Sequence, residues 1–169
     1  MKSSNGFTLV EVIVTLVVVA IIIAVGIPGL SSIMANNRAI ANSNDLVTAL
    51  SFSRNEAVKR GMRVSTCAKS SAAQGNLTCS ENNNDWPNGW FAFVNSDGNT
   101  AAEPLRSWPA PPGDFTIDGP AAVSFNSSGA IEGGSATLTI AYSHCTGQQN
   151  RTITISTTGH TSITKVSCT

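Results

Sequence analysis

The most pronounced hydrophobic pattern in the chain is an almost unbroken apolar run near its N-terminus. From Phe7 to Ile27 the only polar residues are Thr8, Glu11 and Thr15. A helix of these 21 residues would be about 30 Å long, which matches the hydrocarbon thickness of a bilayer. We therefore predict a transmembrane helix over residues 7–30, preceded by a short leader, residues 1–6.

The pattern becomes amphipathic after this run. Apolar residues recur at spacings typical of one helix face, with Asn, Ser and Arg between them, which predicts a second helical half over residues 31–61. Two basic residues followed by Gly61 predict that the helix ends at Lys59 or Arg60. The expected buried face consists of Ile33, Ile40, Val47, Leu50, Ala57 and Val58.

Residues 62–169 change to an alternating pattern with a period of two, which is typical of strands. The Asp97-Gly98 pair, directly after an aromatic strand, predicts a hairpin. We therefore expect an α+β protein whose long N-terminal helix packs on one or two antiparallel sheets. The predicted strands are Arg63–Ala68, Gly89–Asn95, Leu105–Trp108, Ala122–Phe125, Ala136–His144, Arg151–Ser156 and Thr161–Ser167.

Charges near the apolar run predict its orientation. Lys2 is the only charge before Glu11, and the next basic residue is Arg38. The positive-inside rule then leaves the leader in the cytoplasm and places the C-terminal bulk across the membrane. A secretory signal peptide would have a shorter apolar stretch and a small-residue cleavage site. A plain anchor would not explain Glu11, since a carboxylate inside a span is costly without a partner.

The string Gly6-Phe7-Thr8-Leu9-Val10-Glu11 resembles the processing motif of type IV pilins and type II secretion pseudopilins. The resemblance implies cleavage by a prepilin peptidase between Gly6 and Phe7, followed by N-methylation of Phe7. It also implies that Glu11 meets the N-terminal amine of a neighbouring subunit, which would neutralise two buried charges together. Pro28 matches the family proline near which the helix loosens during assembly, although a simple kink explains the residue equally well.

A second set of residues narrows the resemblance to the GspH/FimT/FimU branch of this family. The spacing of Leu46, Leu50, Ser53-Arg54, Glu56-Ala57 and Arg60 is similar to the pattern of that branch. The resemblance implies the type IV pilin fold and a minor pilin that serves as a structural or priming subunit of a pilus. The implied partners are other pilin subunits, prepilin peptidase and, before assembly, inner-membrane lipid.

The same resemblance implies a bacterial inner-membrane protein that crosses once, has its headgroup in the periplasm and ends in a pilus or pseudopilus. Two alternatives stay open within the branch. One is the H-type pseudopilin of a type II secretion system, and the other is a minor pilin that binds DNA for uptake.

The chain has four cysteines, Cys67, Cys79, Cys145 and Cys168. Outside the cytoplasm we expect them to form disulfides. Their order favours the pairs Cys67–Cys79 and Cys145–Cys168, although four cysteines allow three pairings. A zinc site is the competing use, but no Cys-x-x-Cys spacing occurs.

Other chemistry receives little support from the sequence. Ten basic and ten acidic residues balance, and no nucleophile elbow, phosphate loop or carboxylate pair is present. We therefore expect no enzyme activity, cofactor or metal. DNA-uptake relatives carry a Gly-Arg-x-Arg element, which here reads Gly159-His160-Thr161-Ser162. Only Arg151 and Lys165 remain nearby as cations for phosphate contacts, so DNA binding is the least favoured alternative.

Overall fold

The computed structural model describes Gly6 and residues 8–70, 77–94, 103–143 and 145–168. Contacts divide the chain into two compact units, Met1–Asn37 and Arg38–Thr169. One helix, α1, runs from Leu9 to Arg60 and contributes to both units.

The C-terminal end of α1 agrees with the prediction from sequence. Gly61 has a φ of +64°, and the N–H of Met62 donates to the carbonyl of Ala57 at 3.2 Å. This is the Schellman arrangement, in which a left-handed glycine turns the chain so that a free helix carbonyl finds a donor. Lys59 and Arg60 lie in the last turn, where cations are favourable beside the negative end of the helix dipole.

In the described part of the chain eight strands follow, and they form two four-stranded antiparallel sheets. The first sheet has the order β3-β2-β1-β5 and the second the order β4-β6-β7-β8. The strands are β1 (Val64–Ala68), β2 (Trp90–Val94), β3 (Glu103–Trp108), β4 (Phe115–Asp118), β5 (Ala122–Phe125), β6 (Ala136–Tyr142), β7 (Asn150–Ile155) and β8 (Thr161–Val166).

All seven predicted strands are present, with ends within two residues of those expected. The alternating pattern of apolar and polar residues missed one further strand. Strand β4 was not predicted because it has only four residues and follows the irregular stretch Pro111-Pro112-Gly113. Its alternation is real, with Phe115 and Ile117 buried and Thr116 and Asp118 exposed. The Asp97-Gly98 pair lies outside the described residues, although β2 and β3 pair in antiparallel as that hairpin requires.

The core of the Arg38–Thr169 unit joins the helix to both sheets. All three tryptophans are buried in it, and the indole of Trp86 donates to the carbonyl of Pro120 at 3.0 Å. Leu46 and Leu50 of α1 pack in the same cluster as Trp90 of the first sheet and Leu138 of the second. A single apolar core therefore holds the three layers of secondary structure together.

The buried face of α1 differs from the prediction. Ile33, Ile40 and Val58 are exposed, whereas the residues that face the core include several small and polar side chains. The physical reason is close packing, since small residues let a helix approach a sheet that already supplies the large aromatic groups. The buried helix positions are Ala39, Asn42, Ser43, Leu46, Ala49, Leu50, Ser53 and Ala57.

Two disulfides are present, Cys67–Cys79 and Cys145–Cys168, which are the pairs that the order of the cysteines favours. Cys67 lies in a small second cluster with Phe91 and Phe93, against which Cys79 also packs. Strands β1 and β2 are buried along their whole length, and Leu77 and Cys79 pack against the face that carries Phe91 and Phe93. The second disulfide joins the residues that follow β6 and β8.

Candidate assembly site

The helix begins at the sequence that we identified as a processing motif. Gly6 and Thr8 are exposed and precede α1, whereas Phe7 lies outside the described residues. The hydroxyl of Thr8 accepts from the backbone N–H of Glu11 at 3.3 Å, and its carbonyl accepts from the same N–H at 3.1 Å. Thr8 is therefore the N-cap, and Thr8-x-x-Glu11 has the sequence of a capping box.

Besides the pairing with a neighbouring subunit that the resemblance implies, Glu11 has a role at the start of its own helix. Glu11 is the acidic residue of the first turn, where a negative charge is favourable beside the free N–H groups of the helix. Its side chain is exposed. The carboxylate therefore lies in the first turn of the helix and is accessible to a cation from another molecule.

The apolar residues that follow Glu11 are exposed around the whole helix. Large aliphatic side chains from Leu9 to Ile23 have exposed fractions between 47% and 79%. Exposed apolar surface of this extent marks a surface that packs against another molecule or against lipid. Among the described residues, none of the helices reaches the combined length and hydropathy that a membrane-crossing segment needs.

The helix continues without a break through Gly26, Pro28 and Gly29. The expected weak point at the proline therefore does not interrupt α1 in this structure. The side chains of residues 25–29 lie outside the description, so the expected role of Pro28 in assembly stays a prediction.

The residues that resemble the GspH/FimT/FimU pattern join α1 to the sheets. The hydroxyl of Ser53 is hydrogen-bonded to that of Thr66 in β1, with 2.6 Å between the oxygens, and both residues are fully buried. Ala57 is also fully buried, and its carbonyl accepts the Schellman hydrogen bond. These two positions explain why the pattern requires a small residue at each.

Arg54 connects the helix to two turns of the headgroup. Its Nε donates to the carbonyl of Gly129 at 2.9 Å, and its Nη2 donates to the carbonyl of Thr158 at 3.3 Å. The two turns meet closely, because a Cβ built on Gly159 would lie 2.0 Å from the Gly129 carbonyl oxygen and 2.8 Å from Arg54 Nε. Arg54 thus satisfies two backbone carbonyls where only glycine fits.

Glu56 forms ion pairs with the two basic residues in the last turn of the helix. Its carboxylate lies 2.8 Å from Arg60 Nε and 3.6 Å from Lys59 Nζ. The hydrogen bond from Arg60 is the largest effect and lowers the pKa of Glu56 below its usual value; burial opposes it, and the nearby Lys59 adds a smaller lowering effect. A further ion pair, Arg63–Glu132 at 2.8 Å, lies just beyond the helix.

The two cations considered for DNA binding are not equivalent. Arg151 is only 2% exposed, and its Nη1 donates to the carbonyls of Gln148 and Asn150 at 2.7 and 2.9 Å. The guanidinium is enclosed and engaged by backbone carbonyls, which further disfavours Arg151 as a phosphate contact. Lys165 is exposed on β8 directly opposite Arg151 in the strand register.

His160 is exposed in the turn before β8. No group of three or more potential metal ligands occurs in the described part of the chain.

Comparison with protein-family models identifies the family to which the chain belongs. The family model described as type II transport protein GspH matches residues 42–159, which is most of the chain. The chain belongs to the GspH family. A second model, the prokaryotic N-terminal methylation motif, matches residues 1–27 of this GspH-family protein. The comparison with curated protein sequences found no match.

Two solved structures resemble the GspH-family chain. Both are crystal structures of the type IV minor pilin FimU from Pseudomonas aeruginosa strain PAO1, in space groups P21 and P65. The first has a TM-score of 0.60 at 21% identity and covers 79% of this chain and 96% of FimU. The second has a TM-score of 0.55 at 20% identity and covers 79% of this chain and 98% of FimU. This likeness confirms the type IV pilin fold that the resemblance implied.

Proposed function

We propose that this GspH-family protein is a minor type IV pilin, a structural or priming subunit rather than an enzyme. One combination of features supports the proposal most. A segment that matches the N-terminal methylation motif leads, through the single helix α1, into a GspH-family headgroup. The solved structures that share its fold are described as a type IV minor pilin.

The proposed route to the filament has three steps. Prepilin peptidase cleaves between Gly6 and Phe7 and the new N-terminus is methylated. Before assembly, the apolar residues after Phe7 hold the chain once in the inner membrane, with the headgroup in the periplasm. During assembly the Glu11 carboxylate pairs with the N-terminal amine of a neighbouring subunit, and the apolar helices bundle together.

The exposed position of Glu11 supports this pairing. A carboxylate and an ammonium that enter an apolar bundle separately would each lose hydration, whereas together they compensate one another. Removing one partner leaves the other charge buried and unpaired, which costs several kcal/mol in comparable buried pairs (about 3–5). Loss of Glu11 should therefore reduce incorporation without affecting cleavage.

The test uses the full chain in a piliated host. Mass spectrometry of wild-type protein from sheared pili should show a mature N-terminus at Phe7 that carries one methyl group. The variant Gly6→Val should accumulate as the unprocessed precursor. Glu11→Gln should be processed normally but be depleted from pili, whereas Glu81→Gln, which removes an exposed headgroup carboxylate, should enter pili like the wild type. Normal incorporation of Glu11→Gln would refute the pairing.

A second candidate function is the H-type pseudopilin of a type II secretion system. The observation that favours it is the family match, whose description is that of a type II transport protein. Deleting the gene separates the two functions. If the protein is a minor pilin, deletion should give fewer surface pili with normal secretion of exported enzymes. If it is a pseudopilin, deletion should reduce secretion and leave the number of surface pili normal.

A further inference from the structure

Strand β8 differs from the strands at the other sheet edges because, in the described part of the chain, it has no proline, bulge or covering segment. At one edge of the first sheet, β3 contains Pro104 and pairs across a bulge between Ala92 and Phe93. At the other, β5 is covered by the segment after it, since Phe125 bridges Ile131 and the N–H of Glu132 donates to the Ser124 carbonyl at 2.9 Å. Proline, bulges, covering segments and charged side chains, lysine above all, are the usual ways of blocking an edge, and β8 has only one of them, the single charge of Lys165.

The second sheet has one protected edge and one open edge. Strand β4 has four residues and lies beside the short 3-10 helix Trp86–Asn88. Strand β8 has six residues, pairs regularly with β7 along its whole length, and contains neither proline nor a bulge. Its side chains are largely exposed, including the apolar Ile163 at 39%. An open, regular edge of this kind can accept another strand.

The hydrogen-bond phase of β8 shows which of its backbone groups face outward. The N–H of Ser156 donates to the carbonyl of His160 at 2.9 Å, so this pair is a hydrogen-bonded pair of the β7–β8 ladder. Bonded residues alternate along an antiparallel strand, so Ser162, Thr164 and Val166 bond to β7. The N–H and C=O groups of Thr161, Ile163 and Lys165 therefore point away from the sheet.

These outward groups are complementary to a second copy of themselves. If two β8 strands pair in antiparallel with Ile163 opposite Ile163 of the second copy, Thr161 falls opposite Lys165. All three outward residues then form bonded pairs, giving about six inter-strand hydrogen bonds. On the other face Ser162 falls opposite Thr164, a hydroxyl pair that stabilises neighbouring strands.

The position of the charged residue in β8 also favours the register that places Ile163 opposite Ile163 of the second copy. Lys165 is the only charged residue of β8, and in the pair each lysine faces a threonine. The two lysines are separated by four residues along the strand, or about 14 Å, which is beyond the screening length of about 8 Å at physiological salt. The pairing therefore brings two apolar isoleucines together at its centre and places no like charges opposite each other.

We propose that β8 is an interface through which two copies of this chain pair in antiparallel about a two-fold axis at Ile163. The pair extends the second sheet from four strands to an eight-stranded sheet across both copies. Because a two-fold axis closes the assembly at two copies, the contact does not propagate into a filament. It is a dimer contact distinct from the assembly of the N-terminal helix.

The first test measures the mass of the full-length chain in detergent micelles by sedimentation as a function of protein concentration. Wild type should dimerise. Ile163→Pro removes an N–H that β7 does not use and should weaken the dimer more than about tenfold, since at least two hydrogen bonds are lost. Ile163→Val keeps the strand and should dimerise like the wild type. Circular dichroism shows whether the proline variant remains folded.

The second test does not depend on the proline variant. Ile163→Cys places the new thiols opposite each other and should give a covalent dimer on mild oxidation, whereas Ser127→Cys, in an exposed turn, should not. A wild-type chain that stays monomeric at every concentration would overturn the proposal. So would a dimer that survives Ile163→Pro together with equal crosslinking at positions 163 and 127, because association would then come from another surface.

Discussion

At the scale of single residues, the chain depends on a few positions where side chains satisfy backbone carbonyls, in distant segments for Arg54 and in nearby residues for Arg151. Arg54 and Arg151 are the main examples, since each guanidinium donates to backbone carbonyls. Both were visible in the sequence as basic residues, but their partners were not, because a carbonyl can be contributed by any residue. Gly159 is the complementary case, in which a missing side chain allows two turns to meet.

Gly159→Ala should destabilise the headgroup strongly. The residue has a φ of +79°, and its new Cβ would lie 2.0 Å from the Gly129 carbonyl oxygen. We expect a loss of about 3 kcal/mol or more, from left-handed backbone strain together with the displacement of Arg54. Gly133→Ala is the matched control, because it has a φ of +84° with no atom within 4 Å and should lose only about 1–2 kcal/mol. Equal midpoints of thermal unfolding for the two variants would contradict the prediction.

Glu56 should make the stability of the helix end depend on pH. Its pKa is lowered in the folded chain, so its contribution is present above the ordinary carboxyl range and is lost as the pH falls through the folded pKa. The wild type should therefore exceed Glu56→Gln in stability near pH 7, and the difference should shrink as the pH falls below the ordinary carboxyl range. Denaturant unfolding at several pH values measures the difference, and a constant difference would show that the ion pairs with Arg60 and Lys59 do not titrate as described.

At the scale of elements, the two disulfides hold different parts of the headgroup. The Cys67–Cys79 bond holds Cys79 and its neighbour Leu77 against Phe91 and Phe93, and the Cys145–Cys168 bond ties the residues after β8 to those after β6. The cysteine order favoured both pairs before the fold was known. What each bond holds in place depends on the sheet topology, which the cysteine spacing does not contain.

The double variant Cys145→Ser/Cys168→Ser should loosen β8 selectively. The chain-entropy model gives a loss of about 3 kcal/mol for a loop of this length. Because β8 is an edge strand with exposed side chains, we expect its amides to exchange hydrogen faster while those of β1 and β2 stay protected. The double variant Cys67→Ser/Cys79→Ser serves as the comparison, and uniform acceleration in both variants would show that the bonds stabilise the headgroup only as a whole.

At the scale of the whole molecule, the chain has an N-terminal part that contains the proposed assembly site and a headgroup that has its own core. Every buried apolar residue among those described belongs to the Arg38–Thr169 unit, beginning with Ala39. In the Met1–Asn37 unit the large aliphatic side chains that the structure describes are exposed instead. This division matches a protein whose N-terminal part obtains its contacts from other molecules.

A fragment of residues 38–169 should therefore fold on its own. It retains the complete core and both disulfides, so we expect cooperative thermal unfolding with the near-ultraviolet signal of buried tryptophans. A fragment of residues 51–169 is the control, since it lacks Leu46, Ala49 and Leu50 and should not unfold cooperatively. Failure of the longer fragment to fold would show that residues 1–37 contribute to the stability of the headgroup.

Local patterns in the sequence determined the apolar N-terminal run, the family of the processing motif, the end of the helix at Gly61 and seven of the eight strands. Each of these depends on neighbouring residues, through hydrophobic period, turn chemistry or helix capping. Only the tertiary structure decided which helix face is buried, that Arg151 is enclosed, that four residues after a proline-rich stretch form β4, and that the edge of β8 is open. These features depend on contacts between residues far apart in the chain, and the packing that selects among them is absent from any local pattern.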